Sequence, residues 1–174
     1  YNFVPDVGPF RAHFTKGRFY ALPGDGGLLM CTWPNGGLRD DFKKHWQYGY
    51  FNECMSGFEW QAAAHMVFEG APVSAGDDLA AIAEDPADPR ALTVRGLAVS
   101  RAIHDRYAPE VRNPYNEVEC SDHYARAAAS YSLLLAACGF QLDGPAGVIG
   151  FSPRLSPENF RAPFTAPQGG GTFA

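Results

Sequence analysis

Ser56-Gly57-Phe58-Glu59-Trp60-Gln61-Ala62-Ala63-Ala64-His65-Met66-Val67-Phe68-Glu69-Gly70 is the stretch on which the reading of the fold turns. Ser56 is followed three residues later by Glu59, the spacing of a capping box, and Gly70 is a natural helix stop. Phe58, Ala62 and Met66 fall on one side, with Trp60, Ala64 and Val67 on another. A helix apolar almost all round is one buried between neighbours. The stretch predicts a buried helix over 56–69.

Two further helices are expected downstream. Leu92, Gly96, Val99, Ile103 and Tyr107 form a stripe over 90–107, with Arg90, Arg101 and Asp105 opposite and Val94 off the stripe. This helix reads as half exposed. Tyr124, Ala128, Tyr131, Leu135 and Cys138, broadened by Ala127, Leu133 and Leu134, predict a buried helix over 122–139. The acidic, proline-bearing segment 71–89 reads as an exposed excursion, with one helical turn near Leu79–Ala83. Buried, exposed and buried helices in succession are the rhythm of helical hairpins in an α/α toroid. The expected fold is mainly α, part of an (α/α)6 toroid with short β-hairpins and long loops.

Upstream, 19–22 and 28–33 are strand candidates flanking the turn residues Pro23-Gly24-Asp25-Gly26-Gly27. Downstream, 141–151 has hairpin character, 157–161 allows one helical turn, and Gly169-Gly170-Gly171 reads as a loose tail.

Composition narrows the function classes. Hydrophobic residues make up 46% of 174 and charged residues 19%, enough apolar material for a packed core. The net charge is −5 and no basic run exceeds the pair Lys43-Lys44, which argues against nucleic acid. No apolar run reaches the roughly 20 residues of a membrane span. The four cysteines, Cys31, Cys54, Cys120 and Cys138, form no C-x-x-C pair, and no N-x-S/T sequon occurs. A reducing, cytoplasmic setting is expected, with peripheral membrane association left open. The chain opens on Tyr1 without Met, and the expectation is a piece of something longer or a processed product.

Two segments carry dense polar chemistry. One is Phe51-Asn52-Glu53-Cys54-Met55-Ser56-Gly57-Phe58-Glu59-Trp60-Gln61, running into the first helix. The other is Arg112-Asn113-Pro114-Tyr115-Asn116-Glu117-Val118-Glu119-Cys120-Ser121-Asp122-His123-Tyr124-Ala125-Arg126, leading into the third. Glu53, Glu117 and Arg126 are the candidate binding residues. Carboxylates accept from sugar hydroxyls and a guanidinium donates a planar fork. Tyr115, Phe58 and Trp60 would supply apolar ring faces. The bland alternatives stand beside this: Glu59 and Asp122 read as carboxylates complementing helix dipoles, and a Glu–Arg pair as an ordinary ion pair. Cys120, Asp122, His123 and His65 lack the ligand spacing of a zinc site, so no metal is assigned. No G-x-S-x-G elbow is present.

Asn52–Met66 and Asn113–Ala127 closely resemble signature stretches of glycoside hydrolase family 116, the non-lysosomal glucosylceramidases and bacterial β-glucosidases. Similarity extends through Gly27–Pro34, Ala102–Tyr107, Gly150–Leu155 and Phe164–Ala166. The resemblance implies a retaining β-glucosidase with a β-sandwich ahead of an (α/α)6 barrel, residues 1–174 being the C-terminal portion of the barrel. Glu53, Glu117 and Arg126 match glucose-binding residues. The family's nucleophile and acid/base match nothing in this chain, so no catalytic residue is assigned. The implied partners are a β-glucoside and the missing barrel half or another chain that supplies it, and no cofactor is implied. A non-catalytic sugar-binding module and one subunit of a split enzyme are the alternatives. Met55 stands where the family often has Trp, and 71–89 is longer than usual; both bear on the leaving-group side.

Overall fold

The computed structural model describes residues 3–4, 24–31, 54–116 and 126–174. The described elements, in order, are β1 (Phe3–Val4), β2 (Gly27–Leu28), α1 (Ser56–Glu69), α2 (Leu79–Glu84) and α3 (Ala91–Arg106). A 3-10 turn (Ala127–Ser130) then leads into α4 (Tyr131–Cys138), β3 (Gln141–Asp143) and β4 (Val148–Gly150). A second 3-10 turn (Pro157–Asn159) precedes β5 (Ala162–Ala166) and β6 (Gly169–Phe173). The strands pair as three separate antiparallel two-stranded units, β1–β2, β3–β4 and β5–β6. The chain divides into two compact units, 1–62 with 98–129 and 63–97 with 130–174.

The toroid expectation is overturned. The described residues hold four α-helices, of which α1 and α3 are long, together with small antiparallel hairpins. The expected third long helix is the main casualty. Residues 122–125 lie outside the described residues, Arg126 is non-helical, and 127–130 tighten into a 3-10 turn. Only eight α-helical residues follow, and they end at Gly139, whose φ of 55° and N–H to Ala136 close the helix in the left-handed manner. Phe140 N–H then reaches back to the Leu135 carbonyl at 3.0 Å. Tyr131 and Leu135, expected inside, are 69% and 45% exposed, while Ala136, Ala137 and Cys138 are buried.

α1 has the expected bounds, but its start is built differently. Met55, 1% exposed, offers the carbonyl that accepts from Phe58 N–H and Glu59 N–H, each at 3.0 Å. Met55 is therefore the capping position, and Ser56 sits one place inside. α3 is half exposed as expected, with Gly96, Val99 and Ile103 buried. Leu92 faces solvent and Val94 is buried, the reverse of the expected stripe.

In the first unit, β2 pairs with β1, with Phe3 opposite Leu28; the expected partner 19–22 lies outside the described residues. In the second unit, Gly96 of α3 packs directly on α1, where a Cβ would stand 2.7 Å from the Ala63 carbonyl oxygen. Ala64, Val67 and Ala136 form one apolar cluster with Leu97 and Leu133, and Val73, Ile82, Ala91 and Val94 form another. Segment 71–89 is thus no simple excursion. Val73 bridges in parallel to Leu155, and α2 buries Ile82. Asp78 caps α2 by accepting from Ala81 N–H at 3.1 Å.

The glycine-rich tail is a strand. β6 runs antiparallel to β5 from Gly169–Ala166 to Phe173–Ala162. Phe151 gathers this end of the unit, stacking on Phe173 at 4.4 Å and meeting Phe164 and Phe140 edge-on at 5.1 and 5.6 Å.

Candidate functional site

Of the three sequence-marked binding residues, Arg126 is described, while Glu53 and Glu117 lie outside the described residues. Arg126 stands one residue before the 3-10 turn, not a turn inside a helix. Its guanidinium carbon lies 4.7 Å from the centre of the Phe58 ring. A cation over an aromatic face is attracted by the ring quadrupole. Gly57 makes this approach feasible: a Cβ there would fall 2.5 Å from Arg126 Cδ and 2.9 Å from Arg126 Cβ. The two segments singled out in the sequence therefore touch, at the first turn of α1. Phe58 is 41% exposed, so part of its ring remains open beside the guanidinium. Tyr115, the other proposed ring face, is 93% exposed on a turn whose Asn113 side chain accepts from Tyr115 N–H.

On the same turn, Glu59 enters the interior. Its Oε1 accepts from Leu28 N–H at 2.8 Å and from Arg106 Nη1 at 3.1 Å, while Oε2 accepts from Arg106 Nη2. Arg106 Nη1 also donates to the Gly26 carbonyl at 2.8 Å. The two side chains are 1% and 3% exposed. Burial by itself would lower the Arg106 pKa; the Glu59 carboxylate, helped by Cys54 and Tyr107, more than offsets it and raises the pKa above the usual arginine value. Gly27 closes the cluster, since a Cβ would come within 2.5 Å of Arg106 Nη1 and 3.1 Å of Cys54 Sγ, and nearer still to Glu59. The helix-dipole reading of Glu59 captures its place in the first turn and misses its main partner.

A second arginine holds the same loop. Arg112 Nη2 donates to Asp25 Oδ2 at 2.6 Å, both side chains largely buried, and its guanidinium lies 5.8 Å from the Tyr107 ring centre. Residues 25–28 are thus pinned by Arg112 at one end and by Arg106 with Glu59 at the other. Sequence reasoning gave neither arginine a role, although both fall within stretches it singled out. A usable signal existed for Arg106, which continues the buried spacing Gly96, Val99, Ile103. A charge on an apolar stripe implies a buried partner.

Among the described residues, no group of three or more His, Cys, Asp and Glu side chains could hold a metal ion. His65, weighed as a zinc ligand, is exposed on α1. Cys31, Cys54 and Cys138 are thiols, and burial pushes the pKa of Cys31 and Cys138 up. No described helix is long and apolar enough to cross a membrane. A separate concavity of about 410 Å³ lies in the second unit between the β3–β4 and β5–β6 hairpins, against Leu142, Ile149, Phe164 and Gln168. Its one carboxylate, Asp143, accepts from Ala146 N–H at 3.0 Å.

No protein-family model matches the chain, and no curated protein matches it in sequence.

Proposed function

We propose that this chain is the glucose-binding portion of a retaining β-glucosidase or glucosylceramidase, in which Glu53, Glu117 and Arg126 grip one glucose unit. The observation that carries the reading is the seating of Arg126 over Phe58 at the start of α1, where the two family-like segments come together. A guanidinium beside a partly open aromatic face offers a sugar what it needs: planar donors for its hydroxyl edge and an apolar surface for its C–H face. Carboxylates from Glu53 and Glu117 would accept from the remaining hydroxyls.

Retaining hydrolysis requires two carboxyls about 5–5.5 Å apart across the scissile bond. The resemblance assigns neither to this chain, so they belong to another part of the enzyme, and the chain's own task is to hold the sugar. The chemistry calls for no cofactor.

The test is binding of methyl β-D-glucoside to the full chain, followed by saturation-transfer NMR, alongside an assay of aryl β-glucoside hydrolysis. Binding that disappears in Arg126→Ala, with no turnover, supports the reading. No binding by the wild-type chain would overturn it, and turnover by the chain alone would overturn the assignment of the carboxyls elsewhere.

A further inference from the structure

We infer that the buried Glu59–Arg106 pair is a positioning device for the Arg126–Phe58 site. Phe58 and Glu59 are consecutive in the first turn of α1. Phe58 points outward under the Arg126 guanidinium, and Glu59 points inward to three hydrogen bonds.

First turns fray because their N–H groups lack partners within the helix. This one contains Gly57, the residue type that resists helical order most after proline. What fixes it is Glu59, tied to the far end of α3 through Arg106 and to β2 through Leu28. Arg106 is held in turn by the Gly26 carbonyl, so the anchor has three strands of support. With the anchor in place, Phe58 has one orientation to offer Arg126. With it gone, Gly57 is free to turn and the ring no longer stays under the guanidinium. Glu59 and Arg106 act through Phe58 and do not themselves touch the sugar.

That the seated arginine serves sugar binding rests on the proposed function; that the pair seats it does not. The experiment reads the seating directly, from the Arg126 side-chain proton resonances of the full chain. With the guanidinium carbon 4.7 Å from the centre of the Phe58 ring, these are expected upfield in the wild type, and Phe58→Leu defines the unshifted position. In Glu59→Gln, which keeps size but drops the charge, most of the upfield shift is expected to vanish. The contact of the Arg112 guanidinium with the Tyr107 ring, in the same unit as Arg126, serves as the check that this unit has folded.

Should Glu59→Gln fail that check, Glu59→Asp keeps the charge and shortens the reach by one methylene, and a partial loss of shift is expected. An unchanged Arg126 shift in either folded variant would overturn the inference. Unfolding of both would overturn it too, since the pair would then hold the fold at large and not this site. A wild-type chain that ignores β-glucosides, while its Arg126 shift still depends on Glu59, would defeat the proposed function and leave this inference standing.

Discussion

Glu59 and Arg106, 47 positions apart in sequence, meet inside the protein with their side chains 1% and 3% exposed. Taking two charges out of water is costly, and their mutual attraction offsets the cost only when the remaining hydrogen-bonding capacity is used. Here Leu28 N–H and the Gly26 carbonyl use it. Removing one partner strands the other. Glu59→Ala or Arg106→Ala is expected to cost about 3–5 kcal/mol, read as a lower urea midpoint, whereas Glu59→Leu with Arg106→Met should cost clearly less than either. A double variant as unstable as the singles would contradict the pairing.

Gly27 tests the same cluster from the backbone side. An added Cβ lands on Arg106 Nη1 and Glu59 Oε1 with little room to yield. Gly27→Ala is expected to destabilise by about 1–3 kcal/mol in the same unfolding assay, as overpacking does. Gly96→Ala makes the matching test on α3. Its gain in helix propensity, about 1 kcal/mol, should be outweighed by the clash with the Ala63 carbonyl, so that the net sign is a loss.

The extent to which these features were legible follows their range along the chain. The bounds of α1 were readable because its stop, Gly70, and its apolar content are local, whereas its cap at Met55 and the exposure of Phe58 and Phe68 were not. The role of Glu59 was not, because its partner lies on another helix. α4 was overread because Ala127-Ala128-Ala129 is good helix material that a 3-10 turn uses instead. The Gly169–Phe173 strand was missed because glycines disfavour strands in isolation. Pairing with β5 and the Phe173–Phe151 stack supply what local preference lacks. For the site, the sequence singled out Arg126 and Phe58 separately, and their contact depends on a bare backbone at Gly57, a steric fact no spacing rule carries.

Among the described residues, the acid limb of stability has one assignable source. The side-chain hydrogen bond from Arg90, with its backbone N–H, holds the Asp88 carboxyl below its ordinary value of 3.8. A carboxylate depressed in the folded state binds fewer protons than in the unfolded chain, so it stabilises above about pH 3.8, and the benefit fades as pH falls through the lower folded value. Asp88→Asn is expected to flatten the fall in Tm between pH 5 and pH 2, roughly the span over which such carboxylates protonate, while changing little near pH 7. An unaltered acid limb would contradict the assignment.

Arg101 and Asp105 make the control. They pair at 2.7 Å across one turn of α3, with side chains 76% and 53% exposed. Solvent screens such pairs, and Asp105→Ala should shift stability by no more than about 0.5 kcal/mol. A loss approaching that of Glu59→Ala would mean that exposure is a poor guide in this protein.

The most direct measurement is the affinity of the full chain for methyl β-D-glucoside, compared between wild type and Arg126→Lys. Lysine keeps the charge and loses the planar fork. The account predicts saturable binding by the wild type, weakened about tenfold or more in the variant, equivalent to about 1.4 kcal/mol. Equal affinity in the two proteins, or none in the wild type, would contradict it.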